Sequence, residues 1–246
     1  MVISFGENKF TFEAPVTVYE AAQAAGLISR EVLCARVNGE VCELTRAIEA
    51  DADVELLTFE NTDGKKVFWH TASHVLAQAV KRLYPETKLT IGPAVDNGFY
   101  YDFDSEVSFT PEILAKIEAE MKKIVKENLK LERYTLPREE AIKFMEEKGE
   151  TYKVALIARV PDGEDISFYK QGEFTDLCAG PHLFATGAIK AFKLTQCTGA
   201  YWEGDSKNKM LQRVYGVAFP SNQKPNAAYV LDRAGIPVRE YMESTT

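Results

Sequence analysis

The chain contains only three histidines, and each lies four positions from another side chain that can bind a metal or move a proton. His70 and His74 enclose the tripeptide Thr-Ala-Ser, and His182 lies four residues after Cys178. On a helix this spacing places two side chains on one face, about 6 Å apart, which suits a shared metal or a shared substrate. The two pairs predict one functional site that is built from distant segments of the chain.

The second pair belongs to a segment that also carries a carboxylate. Asp176 precedes Cys178 by two residues, and in an extended chain these side chains point to the same face. Gly180-Pro181 is typical of a turn, which would bring Cys178 and His182 to one point. From the residues alone, three histidines and a cysteine favour a catalytic zinc. The glutamate of the HExxH zinc peptidases is absent from the first pair, which disfavours a peptidase.

The elements that position these residues follow helical and strand patterns. Apolar residues recur at helical spacing from Val67 until Pro85, so the first histidine pair lies near the start of a helix. A further helix is predicted to begin at Thr110-Pro111. Another is predicted to begin near Pro137 and to end at Gly149. A hairpin and a series of short strands complete the pattern, at Leu89–Val95, Phe99–Phe103, Tyr152–Ile157, Ile166–Lys170, Glu173–Cys178, Ile189–Leu194 and Met210–Phe219. This order indicates an α+β fold and not an alternating parallel one.

The first part of the chain forms a separate pattern of strands with one short helix. Val2–Phe5 and Lys9–Glu13 are a predicted hairpin, and Thr17 opens a helix with a capping box. Asn38-Gly39 marks a second hairpin, and Val54–Phe59 supplies a closing strand. This arrangement suggests a compact β-grasp domain. Residues 61–64, Asn-Thr-Asp-Gly, interrupt the pattern and predict a domain boundary.

Composition limits the class of protein. The 246 residues are 46% hydrophobic and 27% charged, which excludes a disordered or collagen-like chain. No apolar run of roughly 18 residues and no signal peptide at residues 1–5 are found, so we expect a cytoplasmic protein without membrane contact. Residues 1–64 hold four basic and twelve acidic side chains and so account for the whole net charge of −8. The neutral remainder is compatible with a nucleic-acid partner.

The four cysteines contain no CxxC pair, so neither a redox motif nor a zinc ribbon is indicated. A two-residue turn at Asn38-Gly39 would pair position 35 with 42, which puts Cys34 and Cys42 on opposite faces. We therefore expect free thiols.

Several longer motifs resemble bacterial threonyl-tRNA synthetases: His70-Thr-Ala-Ser-His74, Ile91-Gly-Pro-Ala-Val-Asp-Asn-Gly-Phe-Tyr-Tyr-Asp102, Tyr152-Lys153, Asp176-Leu-Cys-Ala-Gly-Pro-His182, Gly199-Ala-Tyr-Trp-Glu-Gly-Asp205 and Met210-Leu-Gln-Arg213. The resemblance covers roughly residues 1–220. It implies a ubiquitin-like β-grasp domain of the TGS type at residues 1–62. It also implies an α+β editing domain at residues 65–220, related to that of alanyl-tRNA synthetases, followed by a tail or linker at residues 221–246.

The resemblance also implies an activity, hydrolysis of the ester of mischarged seryl-tRNA(Thr). Serine lacks one methyl group relative to threonine, a difference of about 1–3 kcal/mol in a pocket, so correction needs a second, smaller sieve. By position, His70, His74, Cys178 and His182 match the family's histidine and cysteine motifs, and Lys153 and Asp176 match its catalytic lysine and aspartate.

Chemistry suggests roles for these side chains. We expect His70 and Asp176 to organise the attacking water and Lys153 to stabilise the oxyanion or the leaving ribose oxygen. Cys178 and His182 would shape the pocket. The predicted strand at Tyr152–Ile157 would put Lys153 beside Ala155 and Ile157, on an apolar face that desolvates it.

The resemblance leaves the metal open. Alanyl-type relatives hold zinc with this ligand pattern, whereas the threonyl-type site is metal-free. We expect no cofactor to be required, with zinc at His70, His74, Cys178 and His182 as the alternative.

Substrate contacts are expected from two groups of residues. Tyr100 and Tyr101 follow a turn and alternate in direction, and Tyr101 is the candidate that faces the pocket. Basic residues near Tyr201 and Trp202 suit the phosphates and the unstacked 3′ end of tRNA(Thr), namely Lys190, Lys193, Lys207, Lys209 and Arg213.

The sequence also departs from a complete synthetase. No residues for ATP or threonine activation are found, so we expect no aminoacylation by this chain alone, and its partner would be the missing catalytic core if it is a fragment. The alternatives are a freestanding editor, an alanyl-type editor that clears seryl-tRNA(Ala), and a non-catalytic tRNA-binding module. Lys153, Asp176 and the TGS-like segment argue against the alanyl type.

Overall fold

The computed structural model describes residues 1–220, and the chain there is an α+β protein, as predicted. The predicted tail or linker at residues 221–246 lies outside the described residues. Four sheets and five α-helices make up the described part.

The first part of the chain forms a five-stranded sheet covered by a short helix. Its strands are β1 (Val2–Phe5), β2 (Asn8–Thr11), β4 (Cys34–Val37), β5 (Glu40–Cys42) and β7 (Ala52–Leu57), and a two-stranded pair joins β3 (Val16–Thr17) to β6 (Ala47–Ile48). The order is β2-β1-β7-β4-β5, with β1 parallel to β7. Helix α1 (Val18–Ala24) begins at the predicted capping box of Thr17 and packs its buried face onto this sheet's own core.

The hairpin at Asn38-Gly39 has the predicted register, because Ala35 pairs with Cys42. The four thiols are free, also as predicted. Two strands of this first part differ from prediction in their bounds. The strand expected at Lys9–Glu13 is Asn8–Thr11, and the strand expected at Val54–Phe59 is Ala52–Leu57.

Helix α2 (Thr62–Leu83) is the central element of the remaining chain. Every residue from position 71 to position 80 is buried, so the helix is enclosed on all sides. It packs against helix α3 (Pro111–Glu127) and the strands of the second sheet, and it also contacts β4 of the first sheet. Leu33, Cys34 and Leu57 from the first sheet belong to the same apolar core as this helix. The two parts of the chain therefore share packing.

The helix starts inside the segment that the sequence predicts as a break. Asn61 is the residue before the first turn, and its side-chain oxygen accepts the backbone N–H of Thr58 at 2.8 Å. Gly64 lies in the first turn of the helix. A glycine is needed there because a Cβ atom would come within 2.0 Å of the Thr58 carbonyl oxygen. The Asn-Thr-Asp-Gly sequence thus marks a tight joint between β7 and α2.

Two further sheets flank the central helix. One contains β8 (Lys88–Leu89), β9 (Ala94–Val95), β10 (Gly98–Asp104), β14 (Ala191–Tyr201) and β15 (Met210–Phe219), with the path β14-β15-β10-β8 and β9 paired to β10. The other contains β11 (Leu131–Leu136), β12 (Ile166–Gln171) and β13 (Phe174–Leu177). The strand predicted at Ile189–Leu194 runs instead over Ala191–Tyr201, because it pairs along most of β15.

The predicted strand at Tyr152–Ile157 is wrong, because this segment is helix α5 (Thr151–Ile157), which follows helix α4 (Arg138–Glu147). A short apolar run fits either structure, and here the Val154 N–H donates to the Glu150 carbonyl in a helical bond of 3.1 Å. Lys153 and Ile157 are buried on one face, whereas Ala155 is exposed. Lys153 is therefore desolvated, as expected, but by helical packing and not by strand neighbours.

Among the helices of residues 1–220, none combines the length and apolar character that crossing a bilayer needs.

We predict that Gly64→Ala destabilises the protein, although alanine is the better helix former by about 1 kcal/mol. The new methyl group would force the first turn of α2 away from the Thr58 carbonyl, which is overpacking with a typical cost of about 1–3 kcal/mol. Urea unfolding followed by circular dichroism measures the change. Thr62→Ala, an exposed site in the same turn, is the control and should change stability little. A Gly64→Ala variant as stable as the control would contradict the close approach.

Candidate active site

The two predicted pairs meet in one cluster. His70 and His74 lie one turn apart on α2 with ring centroids 5.1 Å apart, and Cys178 and His182 come from the turn after β13. The Cys178 Sγ atom is 3.2 Å from His70 Nε2 and 3.3 Å from His182 Nε2. The rings of His70 and His182 stack at 4.2 Å. Segments more than a hundred residues apart thus converge, as the spacing predicts.

Asp176, Lys153 and Tyr101 form a second, deeper layer beside the histidines. The Asp176 Oδ1 atom is 2.8 Å from the Lys153 ammonium, and its Oδ2 atom accepts a hydrogen bond of 2.7 Å from the Tyr101 hydroxyl. His74 Nε2 lies 3.7 Å from the same Oδ2 atom. Asp176 and Lys153 are 2% and 3% exposed. This is a buried ion pair in contact with an imidazole.

Electrostatics keep the carboxylate charged and the phenol neutral. Burial opposes ionisation of Asp176, but the Lys153 charge, His74 and the hydrogen bond from Tyr101 lower its pKa below the ordinary value. Burial and the neighbouring Asp176 raise the pKa of Tyr101 well above its usual range, so Tyr101 stays a hydrogen-bond donor.

The histidines are uncharged near neutral pH. Burial lowers the pKa of His70 to about 4 and that of His74 to about 3, and it lowers the pKa of His182 well below its ordinary value. Burial also raises the pKa of the Cys178 thiol to about 12. The cluster therefore presents neutral imidazoles and a protonated thiol, which are proton acceptors and hydrogen-bonding groups and not charges.

Thr71 fixes the orientation of His182. Its hydroxyl donates to the Val67 carbonyl at 3.1 Å and accepts the Leu183 N–H at 3.0 Å. The same oxygen lies 2.9 Å from His182 Nδ1. The Thr71 hydroxyl thus holds the His182 ring at Nδ1, and the Nε2 atom of the ring faces Cys178. Sequence reasoning missed this role, although Thr71 lies inside the first histidine motif.

The ring of His70 has partial access to solvent. Its ring donates a hydrogen bond to the backbone carbonyl of Pro181, and the Nε2 atom faces Cys178. His70 and Cys178 are half-buried, whereas His74 and His182 are buried. His70 is thus the imidazole of the cluster that a substrate or a water reaches most directly.

The donor set of the cluster also fits a metal ion. The ligand atoms of His70, His74, Cys178 and His182 all lie within 4.8 Å of one another. The Nδ1 atom of His74 is buried and has no hydrogen-bond partner among the described residues. Three imidazoles and a thiol are ligands that zinc prefers.

Tyr101 and the basic residues predicted to bind substrate lie in different environments. Tyr101 is fully buried and faces Asp176, whereas Tyr100 is half-buried and lies under the Arg213 guanidinium at 4.0 Å. Three of the five basic residues form ion pairs within the chain: Lys193 with Glu118 at 3.3 Å, Lys209 with Asp104 at 2.7 Å, and Arg213 with Asp102 at 2.8 Å.

The other two basic residues, Lys190 and Lys207, are exposed and have no ion pair within residues 1–220. Lys190 lines a cleft of about 420 Å³ together with Lys122 and Lys126 from α3. Sequence reasoning missed Lys122 and Lys126 because they belong to a helix far from the motifs, although their spacing of four places them on one helical face.

Comparisons with known proteins find similar sequences over most of the chain. Residues 166–215, which carry Asp176, Cys178 and His182, match the family model described as the threonyl and alanyl tRNA synthetase second additional domain. A threonine–tRNA ligase of Caldanaerobacter subterraneus subsp. tengcongensis is 59% identical over 222 residues, or 89% of this chain and 34% of the relative. The threonine–tRNA ligase of Clostridium tetani is 63% identical over 190 residues, or 77% of this chain and 30% of the relative. That of Acetivibrio thermocellus is 61% identical over 206 residues, or 83% of this chain and 32% of the relative.

This chain spans about a third of the length of the curated relatives it matches. The similarity that its motifs predict is confirmed, because most of the chain aligns with part of proteins named threonine–tRNA ligase.

Proposed function

We propose that this chain is the editing part of a threonine–tRNA ligase and that it hydrolyses the ester of seryl-tRNA(Thr) to serine and tRNA. The observation that carries the proposal is the buried Lys153–Asp176 pair beside the neutral His70, His74 and His182. The match at residues 166–215 and the identities near 60% support the same assignment. Residues 1–62 would be the TGS domain, and aminoacylation would require a catalytic core that these residues do not supply.

The hydrolysis needs a water that loses a proton and positive charge near the developing oxyanion. The His70 Nε2 atom has a lone pair at neutral pH and is the accessible base for that water. The Lys153 ammonium supplies the charge for the oxyanion or for the leaving ribose oxygen. Asp176 is engaged on both oxygens, so it holds Lys153 in place and supports the water through the neighbouring imidazoles.

The remaining side chains shape the pocket for a small amino acid. His182 is fixed by Thr71, and the protonated Cys178 lies between His182 and His70. A wall of this kind can admit the hydroxymethyl group of serine and exclude the additional methyl group of threonine.

Zinc is the alternative for the same donors. It would be held by His70, His74, Cys178 and His182, and when bound it would supply a polarised water. We propose a metal-free reaction, because Lys153 and Asp176 match the catalytic lysine and aspartate of the family and already form a charged pair beside the cluster. Elemental analysis of chelator-washed protein should find well under one zinc per chain, and one zinc per chain would reverse this assignment.

A deacylation assay with three substrates tests the proposed function. We expect rapid hydrolysis of seryl-tRNA(Thr), at least about 100-fold faster than threonyl-tRNA(Thr), the order of discrimination that a steric sieve provides. The uncatalysed ester hydrolysis is subtracted at each pH. Preference for seryl-tRNA(Ala) would indicate an alanyl-type editor, and binding without hydrolysis would indicate a non-catalytic tRNA-binding module.

We predict that Lys153→Ala lowers seryl-tRNA(Thr) hydrolysis by about 100-fold or more, the usual effect of removing one oxyanion donor. The substitution also leaves Asp176 buried without its partner, which is destabilising by itself. The double variant Lys153→Met with Asp176→Asn removes both charges and should regain much of the stability without regaining the activity. Lys143→Ala, an exposed site on α4, is the control. A wild-type rate for Lys153→Ala would remove this residue from the mechanism.

We also predict that the cleft formed by Lys122, Lys126 and Lys190 contacts tRNA phosphates, since these lysines are exposed and form no ion pair within residues 1–220. Replacing all three by alanine should weaken tRNA binding about tenfold or more. It should also lower the slope of log K against log salt concentration by the equivalent of roughly two to three phosphate contacts. The rate at saturating tRNA should change little. Replacing Lys9, Lys66 and Lys170, which are exposed elsewhere, removes the same charge and is the control. Equal weakening by both triple variants would rule out a specific contact.

A further inference from the structure

The histidine that shapes the pocket is held on one side by a tyrosine that the mechanism does not use. Tyr169 lies on β12 directly opposite Asp176 in the strand pairing, and it is 2% exposed. Its ring lies 4.5 Å from the His182 ring at an angle of 65°, and His70 stacks on His182 at 4.2 Å. The His182 ring is therefore in contact with both Tyr169 and His70, and displacement of Tyr169 would remove one side of this packing and leave the ring held by Thr71 and His70 alone.

The hydroxyl of Tyr169 also packs on the turn that carries the cysteine. A Cβ atom at Gly180 would come within 2.0 Å of this hydroxyl, so the glycine backbone and the phenol are in direct contact. Gly180 has φ +72°, which glycine adopts without strain, and its N–H donates to Cys178 Sγ at 3.2 Å. The position of the Tyr169 hydroxyl thus bears on both Cys178 and His182.

The hydroxyl is anchored from the first sheet. It donates a hydrogen bond of 2.9 Å to the Oε1 atom of Glu43, which follows β5 and lies 126 residues earlier in the chain. Burial raises the pKa of Tyr169, and the Glu43 carboxylate raises it further, so the donor remains protonated. A buried phenol that loses its acceptor moves to find another partner.

A second contact braces the same loop from the same side. The ring of Tyr19 on α1 stacks on Phe184, two residues after His182, with centroids 5.6 Å apart. The loop that follows the catalytic turn is therefore in contact with helix α1 at Phe184, while Glu43 reaches the turn itself through Tyr169.

We propose that Glu43 is a positioning residue for the hydrolytic site, acting through Tyr169 on His182 and on the Cys178–Gly180 turn. The assignment gives the acidic first domain a part in the hydrolysis, and its activity readout rests on the proposed function. The hydrogen bond itself is tested without any substrate.

The experiment compares Glu43→Ala, Glu43→Gln and Tyr169→Phe with the unmodified protein. Glu43→Gln keeps an oxygen that accepts the phenol hydrogen, Glu43→Ala removes the acceptor, and Tyr169→Phe keeps the ring but removes the donor. Glu40→Ala is the matched control, because Glu40 is an exposed acid of the same hairpin whose ion pair is with Arg46. Melting temperatures show that each variant is folded.

Two readouts are measured for each variant. One is single-turnover hydrolysis of seryl-tRNA(Thr) over a range of protein concentrations, which separates the rate of the bound complex from binding. The other is the set of imidazole ¹⁵N signals, which three histidines keep free of overlap. Their chemical shifts report the tautomer and environment of His182 and need no substrate.

Glu43→Ala and Tyr169→Phe should lower the bound-complex rate by about tenfold, as small misplacements do, without changing tRNA binding. Both should shift the His182 signals. The double variant, Glu43→Ala with Tyr169→Phe, should lose no more activity than either single variant. Glu43→Gln and Glu40→Ala should behave like the unmodified protein. Unchanged His182 signals in Glu43→Ala would overturn the proposal, as would an unchanged rate in a protein that hydrolyses the ester. A Glu43→Gln variant as impaired as Glu43→Ala would also overturn it. An unmodified protein without hydrolysis would refute the proposed function instead, and the imidazole signals would still decide the positioning contact.

Discussion

The structure depends on the complete burial of the middle of helix α2, residues 71–80, which is not completely apolar. Helix α2 encloses Thr71, Ser73, His74 and Gln78 among its buried residues, and each of these polar groups needs a partner away from water. The partners come from three other segments. Thr71 bonds to Leu183, Ser73 contacts the Gly92 carbonyl at 2.6 Å, and Gln78 bonds to Gln171. The hydrogen bonds of these buried side chains therefore fix the turn after β13, the loop before β9 and the end of β12 around the histidines.

The chemistry of the cluster follows from this enclosure. Removing water lowers the pKa values of the imidazoles and raises that of the thiol, so the groups that meet there are neutral proton acceptors and a neutral donor. The one charged pair, Lys153 with Asp176, persists at the same depth because the two charges satisfy each other and Tyr101 occupies the second carboxylate oxygen. A polar site of this kind is stable only as a connected set.

The sequence predicted much of this arrangement because its signals are local. Histidine spacing, the Gly180-Pro181 turn, the capping box at Thr17 and the Asn38-Gly39 register each depend on a few adjacent residues, and the structure bears them out. The strand predicted at Tyr152–Ile157 failed because six residues do not distinguish the two periods, and only tertiary packing selects the helix.

Side-chain contacts between distant elements could not be predicted from the sequence, for a physical reason. The ion pairs that occupy Lys193, Lys209 and Arg213 join residues on different elements, so composition alone presented these side chains as free. The contact between Glu43 and Tyr169 has no local signature either, because a glutamate after a strand is usually solvated. Which side chains meet across elements is set by packing of the whole molecule, and the pattern along the chain records only the elements themselves.

The joint at Asn61 and Gly64 has a consequence for how the molecule divides. Because the first turn of α2 rests on the Thr58 carbonyl and Asn61 bonds back to the Thr58 N–H, the passage from β7 to the helix has no slack residue to serve as a hinge. Cutting the chain at residue 65 would strip the leading turn from the helix that bears two of the three imidazoles. The two predicted domains are thus distinct in pattern but share packing at this joint, since Leu57 of β7 belongs to the same apolar core as α2, and a second half produced alone would expose part of that core to water.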